Sequence, residues 1–355
     1  MKFPLIGFLL FIISLFLSAY LSGQGIFKKL SGENDTVYVE SYLDHLSSRV
    51  YASIKTAEIT FRDENLKKSL IYNPNSAIVL GVGFNYGILG LNIGFKFPFV
   101  NRDDDKYGTT DYLDLQTHIY TRPVILDIYA QLYQGYYLTE PNQWISDWPE
   151  TDTFPIRSDI RTVSLGLNGQ YIFKHKRFSY RAAYLQNEWQ KKSAGSFIVG
   201  GNIFYVDMQG DTSLIPNSDI DSNFFGGIHF SQSRIANFGA TVGYAQTFVV
   251  KQHLFLTLSL VGGLSAGGSW IFTSEEGEPD KSGIALGGSV TGRIAFGYNS
   301  RKVYVGFSYL GVFNRNQSPV PKAWIGYNTG VFRFNIVYRF RLNKDFRILS
   351  RDKAK

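Results

Sequence analysis

His118 and Asp127 are two side chains whose types and spacing suit acid–base chemistry. Arg122-Pro123 between them is typical of a two-residue turn, which would place His118 directly opposite Asp127 on neighbouring antiparallel strands. A carboxylate that orients an imidazole is the arrangement that a general base needs. A serine would complete a hydrolase, and Ser164 on the following strand is the candidate. The alternative is a cross-strand polar pair that only fixes the register of the two strands.

His118, Asp127 and several other charged residues lie on the polar face of their strands. This polar face is predicted to line an interior. Arginines around a lumen would favour anions, whereas opposite charges that pair across a narrow interior would plug it. Charge on the opposite face is unfavourable, since a lipid-facing Arg or Lys costs about 2–4 kcal/mol at the bilayer midplane. The predicted inward residues are Lys96, Asp114, His118, Asp127, Arg181, Arg293, Arg333 and Arg339.

The elements that position these residues show the two-residue period of β-strands. In residues 331–340 every even position is aromatic or aliphatic, while Arg333, Asn335 and Arg339 occupy odd positions. Successive side chains of a strand point to opposite faces, so one face is apolar and the other is polar. In a soluble sandwich the apolar face packs on a second sheet, and in a membrane barrel it contacts lipid.

Twelve strands are clear between residues 76 and 340, and the alternating segment Phe178–Tyr184 is one of them. Short turns and long loops must alternate between the two ends of an outer-membrane barrel. That rule calls for two more strands, at Arg49–Phe61 and Phe224–Ser231. The predicted fold is therefore all-β: a closed antiparallel up-and-down transmembrane β-barrel of 14 strands, with 12 as the alternative.

The composition is consistent with this fold and excludes several functions. Aromatic residues make up 16% of the chain and there are 35 Gly, as expected for a barrel with aromatic girdles. The absence of Cys excludes disulfides, thiolate metal sites and cysteine nucleophiles. Residues 341–355 hold six cations and two anions, which gives +4 of the net +7 and indicates a solvated tail rather than a nucleic-acid surface. No cofactor or metal site is expected.

The start of the chain reads as an export signal. Lys2 precedes an apolar run at residues 8–17, and small residues follow up to Gly23. An uncleaved anchor helix is the alternative. The predicted organisation is a signal peptide at 1–23, an N-terminal periplasmic segment at 24–47, a barrel at 48–340 and a basic tail at 341–355.

Several separated segments resemble a known Bacteroidota family, the domain of unknown function 4421, over residues 37–340. The segments are Tyr72-Asn-Pro-Asn75, Tyr112–Arg122, Leu126–Tyr137, Lys191-Lys-Ser-Ala-Gly-Ser196 and Gly243-Tyr-Ala-Gln-Thr-Phe248. The resemblance implies an exported outer-membrane β-barrel, and it implies no activity, substrate or catalytic residue.

Three functions remain open from the sequence. A channel or transport protein for small polar solutes is favoured, because inward polar residues line a closed sheet. The alternatives are a plugged structural or interaction barrel in an envelope complex, and an outer-membrane hydrolase using His118 and Asp127. The predicted partners are outer-membrane lipid, lipopolysaccharide and envelope proteins, with no nucleic acid.

Overall fold

The computed structural model describes residues 33–341, apart from 87–88, 98, 102, 150–152, 217–219 and 275–276. The predicted signal peptide and most of the basic tail lie outside these residues. The described strands are β1 (Val39–Ser41), β2 (His45–Asp63), β3 (Lys68–Asn73), β4 (Val79–Tyr86), β5 (Leu89–Lys96), β6 (Asp111–Tyr120), β7 (Val124–Leu138), β8 (Ile156–Ile172), β9 (Glu188–Gln190), β10 (Ala194–Gln209), β11 (Phe230–Val250), β12 (Leu254–Thr273), β13 (Lys281–Asn299), β14 (Val303–Gln317) and β15 (Ala323–Arg341). None of the described helical segments is long and apolar enough to cross a bilayer.

Ten of these strands close into an antiparallel barrel. The order around the ring is β2, β3, β7, β8, β10, β11, β12, β13, β14 and β15, and β15 pairs again with β2. Three more strands join the sheet beside the ring: β4 pairs with β2, β5 with β4, and β6 with β7. β1 and β9 form a separate two-stranded sheet.

The predicted alternation is reproduced in the burial of the wall. On β15 the outward side chains of Phe332 and Ile336 are 44% and 48% exposed, whereas the inward Asn335 and Arg339 are 0% and 2% exposed. An outward face of large exposed apolar residues is stable where hydrocarbon covers it. The polar inward face therefore belongs to the barrel interior.

The predicted count of 14 strands differs from the ten-stranded ring with its three added strands. Arg49–Phe61 is a strand as predicted, within β2. Phe178–Tyr184 is not a wall strand, because this segment turns into a π-helical turn at Arg181–Leu185 inside the barrel. Phe224–Gly227 is a 3₁₀ turn rather than a strand, and β11 begins only at Phe230.

The wall is incomplete between β5 and β6. β4 pairs with β2 through residues 47–53, and β6 pairs with β7 along its whole length. Among the described residues, no ladder joins β5 to β6. Each of these strands therefore presents one edge of unpaired backbone N–H and C=O groups.

The two ends of the barrel differ in their connections. One end, called the short-turn end, carries the tight connections at 121–123, 251–253 and 300–302. The opposite end, called the long-loop end, carries the connections at 97–110, 139–155 and 210–229. The connection at 173–193 is the exception, because it is long and lies at the short-turn end. Apart from it, long loops on one side and short turns on the other are typical of outer-membrane barrels.

A hydrophobic cluster, called the outer core, fills the barrel towards the long-loop end. The connection between β10 and β11 folds inwards and contributes Leu214, Ile215, Phe224 and Phe225, all at most 3% exposed. Trp144 from the neighbouring connection packs edge-to-face on Phe224, with ring centroids 4.6 Å apart. The inward side chains that meet them come from several wall strands and include Phe61, Leu70, Tyr136, Phe230 and Tyr327.

Replacing Phe61 by Ala should lower the free energy of unfolding by about 3–5 kcal/mol, since a fully buried aromatic side chain leaves a cavity. Phe61 is 0% exposed and contacts the rings of Phe225 and Phe230 edge-to-face at 5.9 and 5.5 Å. Urea denaturation in detergent measures the loss. Phe332→Ala, on the outward face, is the control and should lose much less. Equal losses would mean that the outer core is not packed as described.

A second insertion, called the short-end plug, consists of residues 33–44 and 174–193. Its two parts are joined by the β1–β9 pairing and by the hydrogen bond from Tyr42 N to the Asn187 carbonyl at 3.0 Å. Aromatic side chains of the plug pack on inward residues of the wall, as Tyr180 does in a cluster with Ile125 and Val261. The plug therefore closes the interior from the short-turn end.

Candidate functional site

The polar residues of the interior lie in a layer between the outer core and the short-end plug. His118 on β6 is the register partner of Asp127 on β7, and its Nδ1 lies 2.7 Å from Asp127 Oδ1. Arg293 of β13 crosses the barrel and donates from Nη2 to Asp127 Oδ2 at 2.5 Å. Both carboxylate oxygens are therefore occupied, and Asp127 is 0% exposed.

The serine that the hydrolase hypothesis needs is bonded elsewhere. Ser164 Oγ donates to Gln131 Oε1 at 3.0 Å, and Ser164 is paired in register with Gln131. The register partner of Asp127 is instead Asn168, which lies on β8 four residues from Ser164. His118 and Asp127 thus form a hydrogen-bonded pair that Arg293 holds from the opposite wall. No hydrogen bond joins His118 to Ser164 among the described residues.

Asp114 accepts hydrogen bonds from a second group of side chains on the inner face. Tyr133 Oη and Gln131 Nε2 donate to its Oδ2 at 2.8 and 3.0 Å. Lys55 Nζ of β2 lies 3.2 Å from its Oδ1 and also donates to its backbone carbonyl at 3.2 Å. The Lys55–Asp114 contact joins β2 to β6. It lies between the part of β2 that pairs with β4 and the part that pairs with β3.

Glu188 of the short-end plug is the carboxylate partner of two arginines. Arg122 Nη2 donates to Glu188 Oε1 at 2.9 Å, Arg181 Nη1 lies 3.5 Å from the same oxygen, and Ser179 Oγ donates to Oε2 at 2.5 Å. Arg181 was predicted to face inwards from a wall strand, and it lies inside the barrel on the plug instead. Burial lowers the pKa of the Arg122 guanidinium, and Glu188 partly offsets that shift.

Arg339 lies near the short-turn end and is bonded to carbonyl oxygens. Its Nε and Nη2 donate to the Gln186 carbonyl at 2.9 and 2.6 Å, and Nη2 also donates to Asn299 Oδ1 at 3.0 Å. These contacts join β15 to the plug. They provide acceptors but no compensating carboxylate.

The two remaining predicted cations, Lys96 and Arg333, have fewer partners. Lys96, on β5, is exposed and donates to the Thr110 carbonyl at 3.2 Å, with its Nζ 4.0 Å from the Tyr112 ring centroid. Arg333 stacks on Tyr51 with its Cζ 5.2 Å from the ring centroid, and its buried Nε has no hydrogen-bond partner.

Sequence reasoning missed several members of this network. Arg49 and Lys55 share the inward phase of β2, so the alternation in this strand was the signal for them. Glu188 carried no comparable signal, because it lies in a connection whose inward course depends on the closed barrel. The outer-core residues of the connection between β10 and β11 were missed for the same reason.

The chain is similar to several solved structures at a low level. The outer membrane protease OmpT from Escherichia coli is 8% identical with a TM-score of 0.36, covering 85% of this chain and 98% of that one. The translocator domain of the autotransporter NalP from Neisseria meningitidis is 10% identical with a TM-score of 0.29, covering 91% and 97%. The P. putida toluene transporter TodX is 8% identical with a TM-score of 0.26, covering 84% and 91%. A search of curated proteins gave no match.

The family resemblance of the sequence is tested by a family model. The model described as "Domain of unknown function (DUF4421)" matches residues 33–340, which is nearly all of the described chain. The protein therefore belongs to the DUF4421 family.

Proposed function

We propose that this protein is a plugged outer-membrane barrel that serves as a structural and interaction subunit of an envelope complex. The observation that carries the proposal is the filling of the interior from both ends, by the outer core and by the short-end plug. The proposal includes export through a cleaved signal peptide and a Bacteroidota outer membrane as the location.

The filled interior supports this function over a channel for small polar solutes. A channel needs a continuous polar path, as in barrels with a water-filled lumen. Here the polar layer holds small cavities, one of about 40 Å³ beside Tyr129 and Asn202 and one of about 50 Å³ beside His118 and Arg333. Aromatic layers lie beyond them towards both ends.

We assign a non-catalytic role to His118 and Asp127. Their pairing fixes the register of β6 on β7, and Arg293 ties that hairpin to the opposite wall. A general base must reach the proton that it removes. The bond from Ser164 to Gln131 leaves His118 without the serine that hydrolysis by this pair requires.

The unpaired edges of β5 and β6 are the proposed contact with a partner. Their outward residues, such as Phe95, Leu113 and Leu115, are apolar and exposed, which places these edges at hydrocarbon depth. Each unsatisfied backbone group costs several kcal/mol in lipid, so a partner that offers an extended strand would relieve that cost.

Lipopolysaccharide is the proposed neighbour of the outward face near the long-loop end. Arg62 and Arg315 both pair there with Glu64, and Arg315 lies over the Trp324 ring with its Cζ 4.6 Å from the centroid. Basic side chains beside an aromatic residue at the membrane boundary suit contact with anionic headgroups.

Site-specific cross-linking in native membranes tests the partner edge. Because the chain has no Cys, Thr117→Cys on β6 introduces a single thiol for a benzophenone-maleimide probe. We expect one defined adduct with another envelope protein after illumination. Leu258→Cys, outward on the fully paired β12, is the control and should give no such adduct. Identical patterns at both positions, or no adduct at Thr117, would contradict a partner at this edge.

A further inference from the structure

The charges of the interior are unevenly paired, and this points to a ligand. Among the described residues of the polar layer and plug, the carboxylates of Asp114, Asp127 and Glu188 each have a cation within 4.0 Å. Arg333 has neither an ion pair nor a hydrogen bond to any described residue, and its Nε is buried. An unpaired charge inside a protein is costly unless something compensates it.

The positions around Arg333 increase the local positive charge. Ser53 of β2 is its register partner, and Lys55 and Arg49 lie on the same inward face, two and four residues along that strand. Two carboxylates of the polar layer are engaged by other groups, since Asp127 is held by His118 and Arg293 and Asp114 by Lys55. The region therefore has donors in excess of acceptors.

Arg333 lines a cavity of about 50 Å³ between β6, the short-end plug, β14 and β15. Gln116, His118, Tyr184 and Ser308 also line it, and each brings a hydrogen-bonding group. The Tyr184 hydroxyl is buried without a hydrogen-bond partner.

We propose that this cavity binds a small carboxylate anion of the size of formate or acetate. A planar guanidinium matches the two oxygens of a carboxylate in a bidentate pair. The hydroxyls of Tyr184 and Ser308 supply further donors around the same space. Since one water needs about 10–15 Å³, a volume of about 50 Å³ holds roughly three to five non-hydrogen atoms, a range that includes formate and acetate.

Calorimetric titration of the purified full-length barrel in detergent with sodium formate and sodium acetate tests the site, in buffer of constant ionic strength. We expect saturable binding at one site per chain. Arg333→Gln should weaken that binding by at least about 10-fold, since a hydrogen-bonded charge contributes roughly 1.5–3 kcal/mol. Arg234→Gln, at the exposed pair with Asp207, is the control and should bind as the wild type does.

The folding of the variant gives a second readout. In buffer without carboxylates, Arg333→Gln should unfold at the same temperature as the wild type or at a higher one, because it removes a cation that has no carboxylate partner. Formate should raise the unfolding temperature of the wild type and leave that of Arg333→Gln unchanged.

Three results would overturn the proposal. They are the absence of saturable formate or acetate binding in the wild type, equal affinity in the wild type and Arg333→Gln, and displacement of formate by chloride at equal concentration. The last result would indicate a general halide site rather than a carboxylate site. The outcome is independent of whether a partner binds at β5 and β6.

Discussion

Replacing Arg293 by Met should lower the free energy of unfolding by about 3–5 kcal/mol, because Asp127 would stay buried without its cation. Asp127 is 0% exposed and receives the Arg293 Nη2 hydrogen bond at 2.5 Å. The contact also spans the barrel, so its loss separates the β6–β7 hairpin from the opposite wall. Urea denaturation in detergent, followed by tryptophan fluorescence, measures the change.

Two further variants separate this effect from a general loss of packing. Arg315→Met breaks an exposed pair with Glu64 and should change stability by about 1 kcal/mol or less. The double variant Arg293→Met/Asp127→Leu removes both charges and should recover most of the loss. A single Arg293→Met variant as stable as Arg315→Met would show that the cross-barrel pair contributes little.

The isosteric change Glu188→Gln should release the short-end plug. Glu188 is 0% exposed and is the carboxylate of Arg122 and Arg181, whose side chains are 4% and 3% exposed. Without that charge two buried cations remain, at a cost of about 3–5 kcal/mol. Since 1.4 kcal/mol corresponds to a tenfold change in an equilibrium, the open population of the plug should rise at least 100-fold.

Trypsin cleavage after Arg181 of the folded barrel measures that opening, because this plug residue is 2% exposed while the plug is closed. Glu40→Gln is the matched control in the same plug. Its partners Lys191 and Arg301 are 23% and 74% exposed, so the cleavage rate should change by only a few-fold. Cleavage of Glu188→Gln at the rate of Glu40→Gln would rule out Glu188 as the clamp of the plug.

The sequence predicts the wall strands well, because the alternation of polar and apolar residues within a strand shows which side chains point inwards. In β15 the alternation alone places Arg333 and Arg339 inside and Phe332 outside. The short turn at Arg122-Pro123 sets the register of its hairpin, so the opposition of His118 and Asp127 follows from local residues. These features depend on neighbours in the chain.

The filling of the interior depends on contacts that are distant in the sequence. Arg293 and Asp127 are 166 residues apart, and their contact exists only once the ring is closed. Phe178–Tyr184 alternates like a wall strand, yet its aromatic residues pack against the inside of the wall rather than lipid. A two-residue period indicates that one face of a segment is apolar. It does not indicate whether lipid or other protein residues cover that face.

Conductance of the folded wild-type protein in planar bilayers tests the filled interior most directly. We predict no unitary conductance steps at neutral pH, even when proteolysis shows that the barrel has inserted intact. The Glu188→Gln variant, with its plug released at the short-turn end, is the comparison. Regular, reproducible steps from the intact wild type would contradict a barrel that is closed by the outer core and the short-end plug.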